Sequence, residues 1–217
     1  SVASRGLGDV YKRQPVGCPK LVCTEDLMMK SDVSLEKPII GIFENLHWHR
    51  YDDNYRNFFL DGILSLAARH PDVTFIMKSH NAGRWLTTRF KGKLAYRPNL
   101  HIADPSSSQW EGMTALDMLQ HMIGVITSPS TVAVDAARRR LPVAVVGNGL
   151  ALENYSPLFQ IHEVDQWSEF VANLFKEQAR MRMVEASEAF IERVMIPGDA
   201  ATRIVQFLLN SKVDLTS

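Results

Sequence analysis

Two short stretches carry residues suited to the chemistry of phosphate. In "KSH", Lys78 and His80 stand two apart at the end of an apolar run. They share a face if the extended conformation persists beyond that run. A lysine so placed can pair with a phosphate, and a histidine can act as acid or base or donate a hydrogen bond to a departing one. Two solvated polar residues would read the same way. In "TSPST", Thr127, Ser128, Ser130 and Thr131 stand where another apolar run gives way to a helical pattern. The first turn of a helix leaves up to about four amides unpaired and carries roughly half a positive charge, so anions bind there readily. Hydroxyls at that point can equally cap the helix, contributing about 1 kcal/mol. Spacing alone leaves both readings open. Neither GxGxxG nor GKS/T occurs, so the dinucleotide fingerprint and the P-loop do not apply.

"HWH" puts His47 and His49 on one side of the chain at a spacing compatible with a metal. No third ligand of suitable spacing follows, and no metal is expected. Trp48 between them reads as a packing residue rather than a stacking platform. Arg138 to Arg140 close a helical pattern, where cations complement the dipole, and read as a solvated face.

These residues need elements to hold them. Apolar runs alternate with helical patterns along the chain: strands at Ile39 to Phe43, Val73 to Met77, a weak one at "NLHIA", "GVIT" and Pro142 to Val146, with a short extended segment at "LFQIHEV". Between them, Asp53 to Arg69 carries an apolar face at three- and four-residue steps. A short helix is expected around Trp85 to Phe90. A longer one is expected over "SSSQWEGMTALDMLQHM", serine-capped, with a stripe of Trp110, Met113, Leu116 and Leu119. "STVAVDAARRR" reads as a short helix, and "DQWSEFVANLFKEQA", "RMVEASEAFIERVM" and "AATRIVQFLLN" as three more.

Unbroken apolar strands alternating with helices predict a Rossmann-like, doubly wound parallel sheet of about five or six strands with helices on both faces. Too few strands are present for an eight-stranded barrel. In such a sheet, ligands bind beyond the carboxyl ends of the strands. That rule gathers His47, His49, Arg50, Lys78, His80, Arg84, the "TSPST" hydroxyls and the "GNGLALENY" loop onto one rim.

Bulk properties exclude several classes. Of 217 residues, 24 are Lys or Arg and 24 are Asp or Glu, so no net field draws in nucleic acid or an anionic membrane. Cys18 and Cys23 alone make neither a disulfide framework nor a four-cysteine zinc site, and a reducing compartment is expected. The sequence shows no apolar run of about 18 residues and no charged-apolar-small signal pattern. The tail "GLGDVYKRQ" looks like translated sequencing adapter of the kind seen at the ends of environmental gene fragments. Residues 1–14 are therefore set apart from the fold, residues 15–37 read as a connector, 38–210 as the domain and 211–217 as a frayed end. The chain is expected to start mid-protein, with an upstream domain missing.

The order "VGCPK", strand, "KSH", a helix ending in "LQHM", "GVITSPSTVAVDAA", "LPVAVV", "LENY" resembles the C-terminal half of GT-B transferases. It is most similar to the CDP-glycerol glycerophosphotransferase type and related capsular or surface-polysaccharide transferases. The resemblance implies that Gly17 to Pro19 form the "GxP" segment leading into the donor domain. It also implies that Lys78 and His80 are the lysine-x-histidine after the second strand, and that Thr127, Ser130 and Thr131 form the hydroxyl loop, with Asp135 in its helix. Three positions in two places depart from the family pattern. Ser128 and Pro129 replace an acidic and an aromatic residue, and Asn81 replaces a proline.

The resemblance further implies a donor-binding domain of a glycosyl- or glycerophosphotransferase building cell-surface polysaccharide or a teichoic-acid-like polymer. His80 is the catalytic candidate. Lys78, Thr127, Ser128, Ser130 and Thr131 would bind donor phosphate, and His47, His49, Arg84, Gly149, Glu153 and Tyr155 would line the donor pocket. The donor would be CDP- or UDP-linked, or a CMP-sugar, with no tightly bound cofactor. A polysaccharide or lipid-linked acceptor would be held by the missing N-terminal domain. The location implied is cytoplasmic, with the inner face of the membrane as the place where a lipid-linked acceptor is met. The fragment alone would be inactive. A nucleotide-sugar 2-epimerase of related architecture would carry a serine-glycine-glycine loop and a following glutamate where "SPSTVAVD" stands. A non-catalytic nucleotide- or phosphate-binding module is the remaining alternative.

Overall fold

The computed structural model describes residues 37–80, 86, 97–104, 106–196 and 198–213. Cys18, Cys23, the connector up to residue 36, Arg84 and most of the helix expected around Trp85 to Phe90 lie outside them. Leu86 is helical and buried.

Six strands form one sheet: β1 (Ile39–Glu44), β2 (Thr74–Ser79), β3 (Leu100–Ala103), β4 (Gly124–Thr127), β5 (Val143–Val146) and β6 (Phe159–Ile161). All pairs are parallel and the order is β3-β2-β1-β4-β5-β6. That is the doubly wound order, whose direction of winding reverses between β1 and β4. Interleaved are α1 (Asp53–Arg69), α2 (Ala115–Leu119), α3 (Val132–Arg138), α4 (Val164–Leu174) and α5 (Glu177–Val194), with a 3₁₀ turn at Glu153–Tyr155. The α/β unit extends to Ile191 within α5; the chain beyond belongs to a second unit containing α6 (Ala200–Val213). In that unit Asp199 caps α6, its carboxylate accepting from the amides of Ala201 and Thr202 and from the Thr202 hydroxyl. No helix among the described residues is long and apolar enough to cross a membrane.

Strand period two explains why both faces of the sheet are covered. Ile40 and Ile42 join a cluster with Phe59, Ile63 and Leu66 of α1 and Trp167 and Phe170 of α4. Ile39 and Phe43 turn to the opposite cluster with Met118 and Leu119 of α2, Ala133 and Ala136 of α3, and Phe190 of α5. Gly62 lets α1 meet the Trp167 ring, because a Cβ there would collide with the indole. Asp52 caps α1, accepting from the Tyr55 amide at 2.8 Å.

Three boundaries differ from the sequence reading. The helix expected from Ser106 is reduced to Ala115–Leu119. Gly112, at φ 75°, breaks the pattern, and Thr114 and Asp117 close a capping box that starts the helix only there. Trp110 is buried from a turn rather than from a helical stripe. β2 continues two residues past Met77, so Lys78 and Ser79 are strand residues. α6 continues to Val213, three residues into the segment expected to fray.

Candidate functional site

β1 and β2 end side by side, with Phe43 opposite Lys78 and Glu44 opposite Ser79. On the other flank Phe43 pairs with Thr127 of β4. These carboxyl ends, with the loops that follow them, surround an open cavity of about 660 Å³. The buried strand-end residues Glu44, Lys78 and Ser79 form its floor, and Trp48, Arg50, His80, Thr114, Ser130, Thr131 and Tyr155 complete its lining. It lies at the reversal point between β1 and β4, where an open parallel sheet is expected to hold a ligand.

Lys78 and His80 therefore share the cavity, as extended spacing requires. Burial pushes the Lys78 ammonium pKa down, partly opposed by the negative charge of Asp117. His80 is exposed, and its ring lies against His47 with centroids 4.9 Å apart. Burial, and then the charge of His80, lower the His47 pKa.

The hydroxyl loop divides into two functions. Ser130 and Thr131 face the cavity. Thr131 stands at the N-cap of α3 without a side-chain cap bond, and the Ser130 hydroxyl accepts the Val132 amide at 3.3 Å. Thr127 and Ser128 are fully buried. Thr127 donates to its neighbour's carbonyl at 2.8 Å and meets Ser130 Oγ at 3.0 Å. Ser128 faces β1 instead of the cavity. Its hydroxyl donates to Asn45 Oδ1 at 2.6 Å and accepts the Asn45 amide at 3.2 Å. Asn45 Nδ2 then donates to the Pro129 carbonyl, as does Arg50 at 2.6 Å. Ser128 and Pro129, two of the positions that depart from the family pattern, thus latch the β4 loop to the β1 loop.

The remaining candidates separate. Tyr155 lines the cavity and stacks on Phe190, and burial raises its pKa. His49, Gly149 and Glu153 are exposed and do not line it. Gly149, at φ 87°, forms the turn after β5. Trp48 corrects the packing expectation. It is 47% exposed at the cavity edge, tilted against the rings of His47 and His49. Among the described residues no group of three His, Cys, Asp or Glu side chains is placed to hold a metal. Arg140 pairs with Glu188 at 2.6 Å, on an exposed surface as expected.

Glu44, Asn45 and Ser79 are the site residues that pattern reading passed over. Glu44 is 4% exposed, and its Oε2 accepts the Leu46 amide at 2.6 Å. Burial raises its pKa, opposed by that amide and by the adjacent Ser79 hydroxyl. A signal was present: a carboxylate ending the apolar strand "IIGIFE" has to be satisfied or used.

No family model and no curated protein matches the chain by sequence. Solved structures match it by fold. UDP-GlcNAc 2-epimerase from Neisseria meningitidis bound to UDP-GlcNAc aligns with TM-score 0.60 at 16% identity, over 80% of this chain and 45% of that one. A putative UDP-N-acetylglucosamine 2-epimerase from Listeria monocytogenes aligns with TM-score 0.56 at 15% identity, over 79% and 44%. A mutant S. aureus TarM in complex with Fondaparinux, alpha-GlcNAc-glycerol and UDP aligns with TM-score 0.52 at 10% identity, over 87% and 36%. The chain spans less than half the length of each. At these identities the likeness is one of fold: a Rossmann-like half-domain of the GT-B type.

Proposed function

We propose that this chain is the donor-binding half of a GT-B-like glycosyl- or glycerophosphotransferase acting in cell-surface polysaccharide or teichoic-acid-like polymer synthesis. The observation that carries the reading is the cavity at the β1/β4 reversal, which Lys78 and His80 line together with Ser130 and Thr131. Transfer from a nucleotide-linked donor breaks the bond to the nucleotide's phosphate, which leaves with added negative charge. Lys78 and His80 are suited to take up that charge as it develops, and the hydroxyls of Ser130 and Thr131 to orient the phosphate. Thr127 and Ser128 act beneath them by fixing the loop. Tyr155 and Trp48 offer flat faces for a base or sugar ring. The donor class is a nucleoside-diphosphate-linked group. The nucleotide in the structurally similar proteins above is UDP, which favours UDP over CDP. Calorimetric titration with UDP and CDP tests the reading: binding at millimolar concentration or tighter is expected, and heat-silent titration with both overturns it.

A second reading, a nucleotide-sugar 2-epimerase half, is favoured by the fold alignment at TM-score 0.60. "SPSTVAVD" lacks the serine-glycine-glycine loop of that class. Conversion of UDP-GlcNAc to its 2-epimer by the longer protein, without an acceptor, would decide for it.

A further inference from the structure

The cavity floor holds a second polar device that phosphate binding does not use. Ser79 is 1% exposed and lines the cavity, and apart from the neighbouring Glu44 carboxylate its hydroxyl has no hydrogen-bond partner among the described residues. Beside it in the strand register stands Glu44, 4% exposed, with Oε2 committed to the Leu46 amide. A buried hydroxyl short of a partner costs about 1–3 kcal/mol, and a group entering the cavity can complete it. A carboxylate on the floor of an anion site would by itself repel phosphate. Its place beside Lys78 makes sense if the two read different parts of one molecule.

We propose that Glu44 and Ser79 form a specificity subsite that receives a hydroxyl of the group attached to the donor phosphate. The Glu44 carboxylate accepts from that hydroxyl, and the Ser79 hydroxyl bonds to its oxygen. Lys78 on the same floor disfavours an ammonium group there and favours a neutral polyol or sugar. The subsite deepens the donor-binding reading and rests on it for the identity of the attached nucleotide. The Glu44–Ser79 pair itself needs only a phosphate bearing a hydroxylated chain.

The test uses the chain as it stands, titrated by NMR with two small phosphates of equal length. These are sn-glycerol 3-phosphate, which carries hydroxyls, and n-propyl phosphate, which does not. The hydroxylated phosphate is expected to bind about tenfold tighter, the worth of one charge-assisted hydrogen bond. Glu44→Gln, which keeps the volume and an acceptor for the Leu46 amide, should reduce that preference to about threefold or less. Ser79→Ala, which removes a hydroxyl whose one neighbour is the Glu44 carboxylate, should reduce it with little change in the melting temperature. Equal binding of the two phosphates by the wild-type chain, or a preference that survives both substitutions, overturns the subsite. A third arm adds UDP and CDP as competitors. Failure of both to displace a bound, hydroxyl-dependent phosphate overturns the nucleotide reading and leaves the subsite standing. If neither small phosphate binds, the subsite falls with the phosphate site.

Discussion

Lys78 shows how one residue can be poorly placed for stability and well placed for an anion. Burial disfavours its charged form, so its folded-state pKa lies below the ordinary value. The unfolded chain therefore binds more protons in the window between the lowered pKa and the ordinary one. Stability rises with pH through that window and carries the full penalty below it. Lys78→Met should raise the melting temperature at neutral pH and flatten that alkaline rise, measured by thermal denaturation across pH. The same substitution should weaken UDP binding about tenfold or more, the worth of a charge-assisted bond to phosphate. A variant that melts higher and binds UDP as well as the wild type would remove Lys78 from the site. The Lys78–His80 pair was legible in the sequence because extended spacing alone puts the two on one face. The division among the hydroxyls was not. Which of Thr127, Ser128, Ser130 and Thr131 faces a ligand depends on Asn45, more than 80 residues away in sequence.

Among the elements, the β1 and β4 loops act as one body. Ser128→Ala strands both the amide and the Oδ1 of buried Asn45. The expected loss is about 1–3 kcal/mol, read from the denaturant midpoint, and the wall carrying Ser130 should lose order with it. A fall in UDP affinity alongside the fall in stability would mark the latch as positioning; stability alone would mark it as scaffold. On the far face of the sheet, Gly62→Ala drives a methyl into Trp167, and an indole clamped between α1 and α4 cannot yield as a flexible chain would. A destabilisation of about 1–3 kcal/mol is expected, with the cavity's affinities unchanged. Most strands and helices were legible because their periods differ. The start of α2 was misplaced because a single backbone feature, Gly112 at φ 75°, outweighed an apolar stripe.

At the scale of the molecule, the doubly wound parallel class followed from alternation and apolar runs, whereas the strand order and the reversal point are set by the folded sheet, and the fold alignments agree with the class. Those structures are each more than twice as long as the stretch they share with this chain. The chain alone is therefore predicted to bind a nucleotide-linked donor without transferring its group, checked by assaying UDP release with and without a polyol acceptor. Turnover by this chain alone would refute that. The central strand pair also has a kinetic side. Ile40 of β1 lies against Gly124 of β4, so the seam at the heart of the sheet closes a loop of more than eighty residues. Long loops are slow to close, and contacts of such separation delay folding. A ligand held between Lys78 and Ser130 reaches across that same seam. It would act as a temporary staple on that long-range junction, slowing its opening and lengthening the lifetime of the folded sheet.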